Sequence, residues 1–98
     1  MLQDFKVTVL SPEGISWVGR AEQLIAPGSM GEFTVLPAHI PMVSLLTAGS
    51  VRIFEKRDRA PHRLEVSRGL CSIMPEEVMI LIPSDLPAYT KEEATDAF

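Results

Sequence analysis

Gly31-Glu32-Phe33-Thr34-Val35-Leu36-Pro37 carries the reading of the fold in seven residues. From Glu32 the side chains alternate polar and apolar, the period of a strand with one buried face. Gly31 opens the run. Pro37 has no N–H for a ladder, so the strand ends there or lies at an edge. The same grammar extends outward in both directions. Toward the N-terminus, Pro27-Gly28 precedes the segment, and a strand is expected over residues 21–26. Gly19 is expected to break that strand from a shorter one over residues 15–18. Ser11-Pro12-Glu13-Gly14 fits a type I turn, and Phe5-Lys6-Val7-Thr8-Val9 alternates again.

Toward the C-terminus, strands are expected at Val43-Ser44-Leu45 and over residues 50–55. A charged loop follows over 55–63, with Pro61 inside it. Residues 63–67 then alternate, with Leu64 and Val66 inward. Gly69 bends the chain before another strand over 70–74, and Pro75-Glu76-Glu77 turns it back. Val78-Met79-Ile80-Leu81-Ile82 is apolar on both faces, as suits a central strand. The spacing predicts an all-β fold: a two-sheet antiparallel β-sandwich of about nine or ten short strands. A short C-terminal helical tail should follow. Leu86-Pro87 leave the sheet, and Thr90 with Glu93 three residues later forms a capping box, so a helix should start near Lys91. A helix ending at Phe98 has about two turns and is marginal alone. The expected division is a sandwich domain over residues 1–85 and a tail over 86–98.

The 98 residues are enough for one domain with a small core, and 46% apolar with 22% charged is a globular composition. The net charge is -4, and the six Arg and three Lys are scattered, with Lys56, Arg57 and Arg59 together in a hairpin loop. A nucleic-acid module would be basic with a clustered footprint, so nucleic acid is not expected as a partner. One cysteine, Cys71, allows no intrachain disulfide, and one Cys with His39 and His62 builds no zinc pattern. The first residues carry no signal-peptide pattern, and no apolar run is long enough to span a bilayer as a helix. No phosphate-binding Gly-x-x-x-x-Gly-Lys-Ser/Thr loop occurs. No nucleophile motif stands beside either histidine. No catalytic residue, cofactor or metal is expected.

Ala26-Pro27-Gly28-Ser29-Met30-Gly31-Glu32-Phe33-Thr34-Val35-Leu36-Pro37-Ala38-His39-Ile40-Pro41 resembles the signature segment of F-type ATP synthase epsilon subunits. Ser11-Pro12-Glu13-Gly14, Gly49-Ser50-Val51-Arg52-Ile53 and Ser67-Arg68-Gly69-Leu70 are similar to other parts of that family's pattern. The resemblance covers about residues 5–85. It implies a non-catalytic rotor subunit of the central stalk, linking the gamma subunit to the c-ring and helping couple ion transport to ATP synthesis. Its place would be peripheral, at the cytoplasmic face of a bacterial inner membrane or on a plastid thylakoid, held there only through the complex and touching the alpha/beta hexamer indirectly.

The resemblance also assigns surfaces. Met30, Gly31, Glu32 and Phe33 would meet the polar loops of the c-ring. Ser11, His39 and Met42 would meet gamma. Each has a plainer alternative: a solvated edge carboxylate for Glu32, a turn opener for Ser11, a loop histidine bonded to a nearby carbonyl for His39. Trp17 and Met42 read equally as core or edge residues, and Cys71 as a buried, inert hydrophobe. Three positions depart from the family. Ala38 stands where Gly is usual and would be strained at positive φ. Arg68 replaces a glycine, and Pro75-Glu76-Glu77 replaces a Pro-Gly-Asn turn. The helical hairpin that usually follows is not expected beyond its first turns, and residues 92–97 lack the arginine of the ATP-binding helix. Inhibition and nucleotide sensing are therefore not carried over.

Two other readings compete. A free-standing sandwich binding a ligand or peptide would need an aromatic-lined concavity, and one Trp, one Tyr and four Phe supply little for it. A cupin-like enzyme would need a histidine cluster, and two histidines do not make one.

Overall fold

The computed structural model describes residues 3–83. The expected helix near Lys91 and the 86–98 tail lie outside the described residues. Within them the chain forms nine strands. They are β1 (Phe5–Ser11), β2 (Gly14–Ala21), β3 (Gln23–Gly28), β4 (Gly31–Val35), β5 (Met42–Leu46), β6 (Gly49–Phe54), β7 (His62–Val66), β8 (Gly69–Ile73) and β9 (Glu77–Leu81).

Hydrogen bonding links them in the order β2-β1-β9-β8-β5-β3-β6-β7, with β4 beside β3. The all-β architecture holds, with two corrections. First, β1 and β9 run parallel, from Lys6 opposite Glu77 to Leu10 opposite Leu81. Second, the two layers are one hydrogen-bonded sheet folded over itself, a sandwich that is also a half-barrel. The fold-over lies where β5 meets β3 at a single pair, Gly28 opposite Leu46. Two further bonds hold that corner, Ser29 N–H to the Leu45 carbonyl at 3.0 Å and Thr47 N–H to the Pro27 carbonyl at 2.9 Å.

The alternation seen in the sequence places the core. Phe5, Val7 and Val9 of β1, Cys71 and Ile73 of β8, and Val78 and Ile80 of β9 point into the fold from one layer. Leu24, Ala26, Val35, Val51, Ile53 and Val66 meet them from the other. β9 lies between β1 and β8, as its run of apolar residues requires.

Gly19 does not break a strand; β2 runs through it to Ala21, and the bend falls at Glu22. Its absent side chain serves Trp17, two residues back on the same face. A Cβ at Gly19 would stand 2.6 Å from Cη2 of the indole. The charged loop is also shorter than expected, because β7 begins at His62. Ala38 does adopt positive φ, at 66°. Its N–H donates to the Pro75 carbonyl at 3.0 Å, which holds the β4–β5 loop against the β8–β9 turn.

Candidate functional site

The β3–β4 hairpin is a tight one, Gly28 pairing with Gly31. Gly31 sits at φ 122°, a conformation that a side chain would strain. The hairpin projects Met30, which is 97% exposed. Because Ser29 bonds back to Leu45, the hairpin lies alongside β5 rather than standing free. Between them runs a groove of about 470 Å³, lined by Ser29 to Phe33 and by Met42 to Leu45. The four residues expected at a ring contact are thus brought together, and Met42 joins them.

Glu32 is neither solvated alone nor free. Its Oε2 accepts from Arg52 Nη2 at 2.7 Å, so an arginine of β6 braces the carboxylate at the groove. Phe33 is half-buried and packs against the core, which anchors the hairpin from beneath.

Ser11 and His39 lie elsewhere. Register places Met42 opposite Ile73, Ile73 opposite Val78 and Val78 opposite Val7. Ser11 is four residues further along β1, or about 13 Å at 3.3 Å per residue. It ends β1, while His39 precedes β5 near the opposite end. Ser11 Oγ donates to Glu13 at 3.0 Å and accepts from Ser16 at 3.2 Å, so it does organise its turn. His39 Nδ1 is 2.7 Å from the Ile40 carbonyl, which can only accept, so the proton is on Nδ1 and Nε2 is left for other partners.

A second surface was not legible in the chain. Direct pairing aligns Ile15, Leu10, Leu81, Leu70 and Leu45 across β2, β1, β9, β8 and β5. Leu10, Leu45, Leu70 and Leu81 face away from the core, since each has a strand neighbour that points into it, and Ile15 shares the face of its partner Leu10. A parallel row holds Val18, Thr8, Met79, Ser72 and Val43. At one end of this face is a groove of about 790 Å³, lined by Leu10, Ser11, Leu45, Leu70, Leu81 and Ile82 among others, with Arg68 its one cation among the described residues. The signal was present as alternate apolar residues on strands apolar on both faces, but only pairing shows that they make one surface. Leu45 and Ser29 line both grooves.

No three His, Cys, Asp or Glu side chains gather into a metal-binding group among the described residues. Cys71 is fully buried, and loss of solvation pushes its thiol up to about 12. No helix of the described residues is long and apolar enough to cross a membrane. What these surfaces can do is adhere: among the described residues they present exposed apolar side chains, with a braced carboxylate at one groove and Arg68 at the other.

Residues 4–86 match the family described as ATP synthase, Delta/Epsilon chain, beta-sandwich domain. An ATP synthase epsilon chain of Acidithiobacillus ferridurans is 35% identical over 96 residues, covering 98% of this chain and 62% of that protein. One from Anoxybacillus flavithermus is 38% identical over 80 residues, covering 82% and 58%. The chain thus spans about three fifths of the length of these curated relatives. Among solved structures, a chain of the Euglena gracilis mitochondrial ATP synthase superposes with a TM-score of 0.77 at 15% identity, covering 99% of this chain and 61% of that one. A chain from the Tetrahymena thermophila mitochondrial ATP synthase central stalk and c-ring gives 0.65 at 13% identity, covering 93% and 75%. At such identities the likeness is one of fold.

Proposed function

Because the chain belongs to the β-sandwich family of ATP synthase delta and epsilon chains, we propose that it works as a non-catalytic rotor element of the central stalk. It would link gamma to the c-ring and help carry the torque of ion flow toward the catalytic subunits. The sandwich of residues 1–85 would do this work, with 86–98 as an appended tail. It would sit at the cytoplasmic face of a bacterial inner membrane through the complex alone.

One observation carries this reading. The hairpin groove gathers Met30, Gly31, Glu32, Phe33 and Met42 on one side of a closely packed sheet, while a second apolar surface, which meets it at Leu45, runs across five strands. Two adhesive surfaces on a stiff body are what a coupling element needs, because packed cores resist deformation. Burying a Leu or Met side chain on a partner is favourable by about 1.5–3 kcal/mol. We assign the hairpin groove to the ring, and with it Met42, which was expected at gamma but lines this groove; the leucine face, Ser11 and His39 are assigned to gamma.

The test is co-purification with cognate gamma and with cognate c-ring, followed by calorimetry. A 1:1 complex with gamma weakened by His39→Ala, and ring binding weakened by Glu32→Ala, supports the assignment. A folded chain that binds neither partner overturns it and returns the peptide- or ligand-binding module to first place.

A further inference from the structure

The chain leaves β9 at the wall of the larger groove. Ile82 N–H donates to the Leu10 carbonyl at 2.8 Å, which carries the backbone past the end of β9 alongside β1. Ile82 and Pro83 then form part of the groove's lining, with Leu10, Leu70 and Leu81. β8 and β9 pair antiparallel, with Leu70 opposite Leu81. The same register carried two residues further sets Arg68 opposite Pro83. Arg68 is exposed and lines the groove. None of the ion pairs among the described residues uses it. It also stands where the resembled pattern has glycine, so what it holds is a property of this chain.

The segment that follows Pro83 reads Ser84-Asp85-Leu86-Pro87-Ala88-Tyr89. Asp85 comes two residues after the position opposite Arg68, close enough for a guanidinium to reach. Leu86 and Tyr89 bring apolar area, and Pro87 restricts Leu86 to extended backbone. From Ser84 to Phe98 the acids Asp85, Glu92, Glu93 and Asp96 stand against the single base Lys91. An acidic, partly apolar segment is thus tethered at an apolar groove with one cation among its described residues. Length agrees as well. Leu81, Leu70 and Leu45 lie side by side on β9, β8 and β5. About 10 Å separates the outer two, at roughly 4.8 Å per strand. Six extended residues reach about 20 Å. The tether also keeps the segment's local concentration in the millimolar range.

We propose that residues 84–89 fold back as a strap over this groove, with Asp85 on Arg68 and Leu86 on the leucine row. The strap covers the face assigned to gamma, so gamma has to displace it. Only that competition rests on the rotor reading; the strap itself does not.

The full chain, isotope-labelled at leucine, isoleucine and valine methyls, tests the contact by NMR. Nuclear Overhauser contacts should join Leu86 to Leu70 or Leu81. Arg68→Glu and Leu86→Ser should each move the Leu70 and Leu81 signals, and adding Asp85→Arg to Arg68→Glu should move them back. Val7 and Ile80, buried in the core, report that each variant is folded. In calorimetry, gamma should bind Leu86→Ser about three- to ten-fold tighter than wild type, the factor for a groove covered about 70–90% of the time. Strap contacts with unchanged gamma affinity uphold the strap and move gamma off the leucine face, so the two readings fail separately. Absence of any contact from Leu86 overturns the strap, as do Leu70 and Leu81 signals indifferent to both single variants. Contacts found between differently labelled molecules in a mixed sample also overturn it, since the occupant is then a second copy of the chain.

Discussion

Arg52 of β6 holds Glu32 of β4 at 2.7 Å, across a sequence separation of 20 residues. The carboxylate at the hairpin groove is therefore pre-positioned. The arginine is about two thirds shielded while Glu32 is mostly exposed, so the stability at stake is that of a surface pair. A double-mutant cycle of Glu32→Gln and Arg52→Gln, read by urea unfolding, should give a coupling of about 0.2–1 kcal/mol. The coupling should shrink in high salt. A coupling of zero at low salt would mean that the bond does not persist in solution.

Ala38 carries φ 66° in the loop held to Pro75. A Cβ in the left-handed region costs about 1–2 kcal/mol. Ala38→Gly removes that cost but returns about 0.4–1 kcal/mol to the unfolded chain as entropy. The expected net effect is a stabilisation between zero and about 1.6 kcal/mol. Ala38→Val should move the urea midpoint the other way, since a β-branched residue fits positive φ poorly. Destabilisation by glycine would show that the loop is not strained.

The thiol of Cys71, ordinarily near 9.0, is pushed up to about 12 by burial. Above pH 9 the unfolded chain loses this proton while the folded chain keeps it. Stability therefore falls as pH rises from 9 toward 12, by up to about 1.4 kcal/mol per pH unit. Comparing wild type with Cys71→Val isolates this slope from other alkaline titrations. Thiol-reactive dye at pH 8 should label wild type only as fast as it unfolds. Prompt labelling of the native chain would place the sulfur near solvent.

Strand positions were legible because a half-buried strand must spend every second residue on the core, as Phe5, Val7 and Val9 do. Turn chemistry was legible for the same local reason: Pro12-Glu13 turns the first hairpin and Pro75-Glu76 the last. Strand direction was not, since alternation is the same whether β9 runs parallel or antiparallel to β1. Gly19 misled because glycine reads as a breaker when nothing shows the indole above it. At Ala38 the resemblance gave only a condition, strain if φ is positive, and the structure supplies the positive φ. Of the site, the hairpin stretch was visible as a motif. The Arg52 brace and the leucine row join residues distant in sequence, and only the folded chain brings them together.

Leu45 belongs to both grooves. It faces out from β5 opposite Leu70 and remains 60% exposed. Its backbone carbonyl, not its side chain, holds Ser29 at the sheet corner, so Leu45→Lys should fold with a loss under about 1 kcal/mol. If either surface docks as proposed, a lysine there would be buried on the partner without a counter-charge. Binding should fall by at least about 2 kcal/mol, or roughly thirty-fold. Val18→Lys is the comparison, because Val18 is 52% exposed on the same outward face but lines neither groove. Calorimetry against gamma and against the c-ring reads both variants. Weakening by Leu45→Lys alone places docking in the grooves. Equal effects from both variants would point to a general loss of apolar surface. Unchanged binding by Leu45→Lys to both partners would move the docking surfaces off β5 altogether.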